Sequence, residues 1–216
     1  MLIHIGQHGE FIFRVGAIML KNKVFVILAA LILVVSIAFN FNAFVERDRN
    51  RQLLINHIYF GLKDTARDLE QFIIVQKDEP MIKELYQLEY VSSNLRKLDQ
   101  AILNYSIYVD SSLYYPGIFS FDLIADTLMY GYSSELNGVT VNGISNDNLV
   151  SDDEMTYIKM LQNDLKASAD KMTSADDALT ENKNLSISQI NSILNEFYSK
   201  WSDSGDTSPY RLLRNN

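Results

Sequence analysis

The chain has 216 residues, with 19 lysines and arginines, 27 aspartates and glutamates, and no cysteine. The lack of cysteine excludes disulfides, thiolate metal sites and a lipid-modified cysteine. The first 44 residues hold Arg14, Lys21, Lys23 and Glu10 as their only charged side chains, histidines aside, so 16 basic and 26 acidic residues follow them. A domain this acidic is not expected to bind nucleic acid or an anionic lipid surface.

One long apolar run dominates the N-terminal part. Residues 24–45 carry no charge, and as a helix rising ~1.5 Å per residue they are about 33 Å long, close to the thickness of a bilayer core. Lys21 and Lys23 precede the run, and basic residues favour the cytoplasmic side of a span. We therefore predict a cytoplasmic stub over 1–23 and a transmembrane signal-anchor helix over 24–45. This makes a single-pass cell-membrane protein whose later residues lie outside the cytoplasm.

Two alternatives remain open for this segment. Small residues at Ser36 and Ala38 allow cleavage of a signal peptide after Ala38, which would release a secreted protein. Met19, followed by "LKNK" and the apolar run, begins a complete signal-anchor by itself. Residues 1–18 can then be an upstream extension from a misassigned start codon.

Helical periodicity governs the next part of the chain. Residues 51–77 and 81–109 each repeat apolar side chains at spacings of three and four. Pro80 stands between them, where it ends one helix and suits the first turn of another. So short a connection predicts a long antiparallel αα-hairpin. The two predicted apolar stripes are Ile55, Ile58, Leu62, Ala66, Leu69 and Ile73, and Leu85, Leu88, Leu95, Leu98, Ile102 and Tyr105.

A short helix, a polar loop and two more long helices are predicted downstream. The short helix ends near Gly131, and the polar loop over 133–148 has room for a small β-hairpin through Val139 and Val141. The stretches 151–154 and 186–189 each match a capping box at the start of a helix. The stripes after them are Met155, Ile158, Leu161, Leu165, Ala169 and Met172, and Ile187, Ile190, Leu194, Phe197 and Trp201.

Four long helices, each with one apolar stripe, bury those stripes most economically against one another. The predicted fold is therefore all-α: a transmembrane helix, then an extracytoplasmic antiparallel four-helix bundle over 46–202, with a short extra helix and a polar loop. A flexible C-terminal tail is predicted over 203–216, because that stretch is polar.

Known catalytic and metal-binding patterns are missing from the sequence. Helical bundles often hold two metal ions through inward-facing Glu-x-x-His pairs, and the chain contains no such pair. His57 is the only histidine after the apolar run, and we expect no metal role for it. The chain also lacks a Gly-x-Ser-x-Gly elbow and a glycine-rich phosphate loop. We predict no enzymatic activity, no metal site and no cofactor.

Tyrosine is the unusual component of the composition. All twelve tyrosines follow the apolar run, many in close pairs, and several cluster between residues 105 and 132. Tyrosine combines a large rigid apolar face with a hydrogen-bonding tip, which suits contact with a protein or small ligand. The alternative is that these rings line the boundary of a thin bundle. The candidate contact residues are Tyr105, Tyr108, Tyr114, Tyr115, Phe121 and Tyr130.

These observations favour a membrane-anchored interaction module. Its predicted partners are the lipid bilayer, through residues 24–45, and a membrane or cell-envelope protein on which it docks as an accessory subunit. The alternative is an extracytoplasmic, sensor-like domain that binds a small ligand in an aromatic pocket under the third helix. The predicted lining of that pocket is Tyr105, Tyr114, Phe121 and Tyr130. Abundant Ile, Asn, Lys and Tyr with no cysteine are typical of a low-GC bacterium.

Overall fold

The computed structural model describes residues 6–76, 85–117, 120–134, 139–145, 147–177, 179–202 and 209–213. The chain divides into two compact units, an N-terminal unit (Met1–Arg49) and a C-terminal unit (Asn50–Asn216). In chain order the elements are α1 (Gly6–Gln76), α2 (Leu85–Tyr108), α3 (Phe121–Met129), β1 (Gly131–Ser134), β2 (Val139–Asn142), α4 (Asp152–Lys171), α5 (Ile187–Lys200) and a 3-10 helix (Pro209–Leu213). The predicted helical fold is confirmed, with one short two-stranded hairpin in the predicted polar loop.

The apolar run lies within α1 and belongs to the N-terminal unit. Every side chain from Phe25 to Val45 is exposed, and an 18-residue window within this helix has a mean hydropathy of 2.4 with none of it buried. Among the described residues, one helix is thus long and apolar enough to cross a membrane. Its orientation and the cleavage alternative stay predictions, as does the division of the chain at 23, 45 and 202.

Helices α1 and α2 pair in the C-terminal unit along the two predicted stripes. Ile55, Leu62, Leu88 and Leu95 are completely buried, and only the outermost stripe residues are partly exposed. The helices approach closely at Gly61, where an added Cβ would lie 3.1 Å from Leu98 Cδ1. The predicted turn at Pro80 lies outside the described residues.

The hairpin closes the C-terminal end of α3. Gly131 takes a left-handed backbone, with φ of 70°, immediately after the helix, as glycine does at such ends. Strand β1 pairs antiparallel with β2, from Gly131 opposite Asn142 to Ser134 opposite Val139. After β2, the Ser145 hydroxyl donates to the Met129 carbonyl at 2.6 Å. The chain therefore satisfies a helix-end carbonyl that has no partner within the helix.

Both predicted capping boxes are present. Ser151 Oγ accepts from the Glu154 amide at 3.2 Å while the Glu154 carboxylate accepts from the Ser151 amide at 2.7 Å. Ser186 and Gln189 repeat the arrangement at the start of α5. The stripes of α4 and α5 are buried as predicted, apart from partly exposed residues at their first turns. A four-helix bundle built on these faces stays a prediction.

Aromatic rings fill the core where α3, α4 and α5 meet. Trp201 stacks on Phe197 with ring centroids 5.9 Å apart and meets the edge of Tyr157 at 5.2 Å. Phe197 also contacts Phe121 of α3, at 4.9 Å. The buried indole keeps a polar partner, because Trp201 Nε1 donates to Asp164 Oδ2 at 3.0 Å.

Within the predicted flexible tail, Pro209–Leu213 form a 3-10 helix that packs on the core. Tyr210 is completely buried and its ring lies 6.1 Å from Trp201 and 5.9 Å from Tyr157. Leu213 is also buried. Tyr210 and Leu213 therefore complete one side of the aromatic core, although the segment around them is polar. The remaining tail residues, 203–208 and 214–216, lie outside the described residues.

Replacing Gly143 by Ala should destabilise the C-terminal unit by about 2–3 kcal/mol, the upper part of the usual overpacking range. An added Cβ would lie 2.6 Å from the Met129 carbonyl oxygen and 2.7 Å from the Gly131 nitrogen, and backbone atoms cannot swing aside. The matched control is Gly61→Ala, which meets only the flexible Leu98 side chain. That variant should change stability by less than about 1 kcal/mol, since alanine favours the helix. Chemical denaturation measures both, and equal losses would contradict the prediction.

Replacing Tyr210 by Ala should lower the free energy of unfolding by about 3–4 kcal/mol, as for other large aromatic side chains removed from cores. Arg211→Ala, at the exposed neighbouring position, is the control and should cost under about 1 kcal/mol. Denaturant titration of full-length protein in detergent measures the difference. A Tyr210 variant as stable as the control would show that the 3-10 helix contributes nothing to the core.

Candidate interaction site

The six predicted contact residues do not form one site. Tyr105 is 6% exposed and Phe121 is completely buried, so both belong to the core. Tyr108 and Tyr130 are instead 80% and 71% exposed. Tyr108 ends α2 while Tyr130 follows α3. The candidate residues are therefore divided between the core and the exposed surface.

The loop between α2 and α3 contains the sequence "YYPG" at residues 114–117, and we call it the "YYPG" loop. Hydrogen bonds fix it to α5. Asn191 Oδ1 accepts from the Tyr114 amide at 2.9 Å, and Asn191 Nδ2 donates to the Ser112 carbonyl at 2.7 Å. Gly117, which follows Pro116, takes a left-handed backbone with φ of 69°, a conformation that glycine adopts without strain. Tyr114 remains 46% exposed. The Tyr114 ring is therefore exposed on a loop whose backbone is fixed by Asn191.

A buried carboxyl group lies beneath this loop. Asp99, on α2, is 2% exposed, and its Oδ2 accepts from the Tyr115 hydroxyl at 2.8 Å. Burial raises the pKa of Asp99, and hydrogen bonds from Tyr115 and the nearby Ser120 hydroxyl only partly offset that rise. Burial and the bond to Asp99 raise the pKa of Tyr115 to about 12. Asp99 therefore anchors the loop and is too enclosed to meet a substrate.

Tyr198 of α5 completes this buried cluster. Its ring centroid lies 5.3 Å from that of Phe121 and 6.5 Å from that of Tyr114. Burial raises the pKa of its hydroxyl well above 10, and this hydroxyl has no hydrogen-bond partner in the described part of the chain. Sequence reasoning missed Asp99, Asn191 and Tyr198. The only signal was an acid on the buried face of α2, one residue after Leu98.

An exposed ion-pair cluster joins α2 to α3 beside the loop. The Arg96 guanidinium donates to Asp122 at 2.9 Å and also to Asp126. All three side chains are 38–50% exposed, so each pair adds at most about 1 kcal/mol to stability. The cluster positions α3 on α2 but has no feature of a binding site.

The surface best shaped for a partner lies between α1 and α2, and we call it the α1–α2 groove. Tyr86 and Tyr90 stand one turn apart on α2 and are 63% and 56% exposed. Tyr90 contributes to two cavities of the groove, of about 370 Å³ and 410 Å³. Their lining residues are Asn56, His57, Phe60, Gly61, Asp64, Asn94, Lys97, Leu98 and Ala101 in the first, and Asp68, Gln71, Tyr86 and Gln87 in the second.

A third cavity, of about 230 Å³, lies between α1 and α4. Lys63 lines it, but its ammonium already donates to the Tyr59 hydroxyl at 2.8 Å and lies over the Tyr59 ring. None of these three cavities is lined by the predicted pocket residues Tyr105, Tyr114, Phe121 and Tyr130. Among the described residues no group of three or more His, Asp or Glu side chains is placed to hold a metal ion.

Replacing Asp99 by Asn should remove a pH-dependent contribution to stability. A carboxyl group whose pKa is raised by folding favours the folded state fully below its unfolded pKa of about 3.8, and this contribution is lost as pH rises through the raised value. The unfolding free energy of the parent, relative to the Asn variant, should therefore increase as pH falls from 7 toward 4.

Urea titrations at several pH values measure this difference. In the Tyr115→Phe variant the same change should occur at higher pH, because the hydroxyl that lowers the pKa of Asp99 is gone. A parent and an Asn variant with parallel pH profiles would show that Asp99 keeps an ordinary carboxyl pKa.

Comparison with known proteins identifies no relative. No protein-family model matches the chain, and no curated protein or solved structure is significantly similar to it. A functional assignment therefore has to come from the residues and surfaces described above.

Proposed function

We propose that the chain is a membrane-anchored, extracytoplasmic interaction module of a bacterial cell envelope. Residues 24–45 anchor it, Lys21 and Lys23 keep its N-terminus in the cytoplasm, and the C-terminal unit is a four-helix bundle outside. It docks as an accessory subunit on a membrane or envelope protein. The observation that carries this proposal is the α1–α2 groove, with Tyr86 and Tyr90 exposed along one wall.

The dimensions of the groove suit a helix of the partner. Its lining runs from Asn56 to Gln71 on α1, and these 16 residues span about 23 Å along the helix axis. A partner helix of four turns has that length, and amphipathic helices commonly bind in grooves between two helices. Phe60, which is 37% exposed, and Tyr90 give the first cavity aromatic walls.

The chemistry of the groove also suits a protein. Tyrosine is enriched in interfaces and contributes a large share of their binding energy. Polar groups surround the rings, among them Asn94, which donates to Asp68 at 3.4 Å. A mixed surface of this kind suits a partner that is docked and released, more than a permanent subunit contact, since permanent interfaces are more apolar.

Ligand binding in an aromatic pocket has less support. Two of the four residues predicted to line that pocket, Tyr105 and Phe121, are packed into the core, and Tyr130 is 71% exposed. The alternative would need another cavity, such as the one between α1 and α4.

Site-specific photo-crosslinking in intact membranes tests the docking proposal. A benzophenone amino acid at Tyr90 or Tyr86 of the full-length chain should form an adduct with one and the same membrane or envelope protein. The control is Tyr130, which is equally exposed on a different element. Tyr90→Ala should then reduce co-purification of that protein about 30-fold, the effect of losing a strong interface tyrosine of about 2 kcal/mol. Adducts from Tyr130 that match those from Tyr90, or none from either groove position, would contradict the proposal.

A further inference from the structure

The pairing of α1 with α2 determines which elements of the C-terminal unit lie level with its first residues. Asp68 contacts Asn94, and Gly61 packs on Leu98, so α2 runs antiparallel to α1. Ten residues beyond Leu98 is Tyr108, and ten residues before Gly61 is Arg51. Because both helices advance equally per residue, the end of α2 lies level with the first residues of the unit.

Contacts with α5 place the "YYPG" loop at the same end. Arg51 Nη1 donates to the Leu185 carbonyl at 3.4 Å, just before α5 begins. Asn191, in the second turn of α5, holds Ser112 and Tyr114. The start of α5, the end of α2 and the loop therefore meet beside Arg51.

Large apolar side chains are exposed at this end, and we call them the basal patch. Their exposed fractions are 48% for Leu53, 60% for Ile107, 80% for Tyr108 and 46% for Tyr114. The residues close to them in sequence that are buried instead are Leu54, Tyr105 and Leu113. The patch thus presents aliphatic and phenolic groups together.

Few residues separate the apolar segment from the C-terminal unit. The apolar segment ends at Val45 and the unit begins at Asn50. Even a fully extended chain spans at most about 17 Å over five residues. The end of the C-terminal unit that carries the basal patch is therefore the end joined to the apolar segment.

We propose that the basal patch inserts into the headgroup region of a zwitterionic phospholipid bilayer. Tyrosine is enriched at that depth, where the ring meets acyl chains and the hydroxyl meets water. The acidic balance of the domain gives no attraction to anionic lipid, so the contact is apolar and aromatic. This inference rests on the membrane anchoring in the proposed function and adds a second lipid contact, which restrains the tilt of the bundle.

Tryptophan fluorescence in reconstituted vesicles tests the inference. The full-length chain carrying Tyr108→Trp is placed in phosphatidylcholine vesicles whose acyl chains are brominated near the glycerol, and the signal of the parent, with its buried Trp201, is subtracted. The added indole should shift its emission to the blue and lose most of its intensity. Tyr86→Trp is the matched control, because it lies on the same helix, 63% exposed and about 33 Å away. Its emission should stay unquenched.

A third variant, Phe41→Trp within the apolar segment, distinguishes failure of the basal contact from failure of membrane anchoring. Quenching of Phe41→Trp without quenching of Tyr108→Trp overturns the basal contact and leaves the anchor intact. An unquenched Phe41→Trp shows that membrane anchoring itself is wrong, and the inference fails with it. Equal quenching of Tyr86→Trp and Tyr108→Trp also overturns it, because the unit then lies on its side. Urea unfolding confirms that each variant is folded as the parent is.

Discussion

The stacking of Trp201 on Phe197 is the contact on which the C-terminal unit depends. Phe197 of α5 and Trp201, the residue directly after α5, join four elements. Phe197 contacts α3 through Phe121, while Trp201 contacts α4 through Tyr157 and the 3-10 helix through Tyr210. Aromatic pairs add about 0.5–1.5 kcal/mol each beyond the area they bury. The partners lie far apart in the chain, so these contacts hold the tertiary structure together where backbone hydrogen bonds do not.

Features that depend on residues close together in the chain were predicted well from the sequence. The apolar stripes and both capping boxes are local patterns, and they recur in the structure at the predicted positions. The burial of Tyr210 was not predicted. It depends on contacts with Tyr157 and Trp201, which are distant in the sequence and leave no local pattern. Asp99 was missed for a similar reason, since its partner Tyr115 is brought to it by the loop.

The tyrosines show the limit of composition as evidence. Tyr105 and Tyr108 are three residues apart on α2, yet one is 6% exposed and the other 80%. Three residues turn a helix by about 300°, so a small difference in position decides whether a ring falls inside or outside the contact with α3 and α5. Tyr105 had been placed both in an apolar stripe and among the contact candidates, and the stripe was the better guide. Tyr86 and Tyr90 share one face of the same helix and both remain in water.

The C-terminal unit has two exposed surfaces of different composition, the α1–α2 groove and the basal patch. Polar groups and rings alternate along the α1–α2 groove, whereas Leu53 and Ile107 make the basal patch more uniformly apolar. Water leaves an apolar patch more readily than it leaves a polar groove, so the two surfaces suit different environments. The Asp99 cluster lies behind Tyr114 and fixes the loop that contributes to the basal patch.

During synthesis, α4 and α5 leave the ribosome before Tyr210 and Leu213 do. Until those residues follow, the faces of Tyr157 and Trp201 that they cover are open to solvent. Nascent chains with exposed aromatic surface are prone to aggregate and to bind chaperones. A chain truncated just before Pro209 would therefore leave these aromatic faces uncovered, and we expect it to aggregate more readily than the full-length chain.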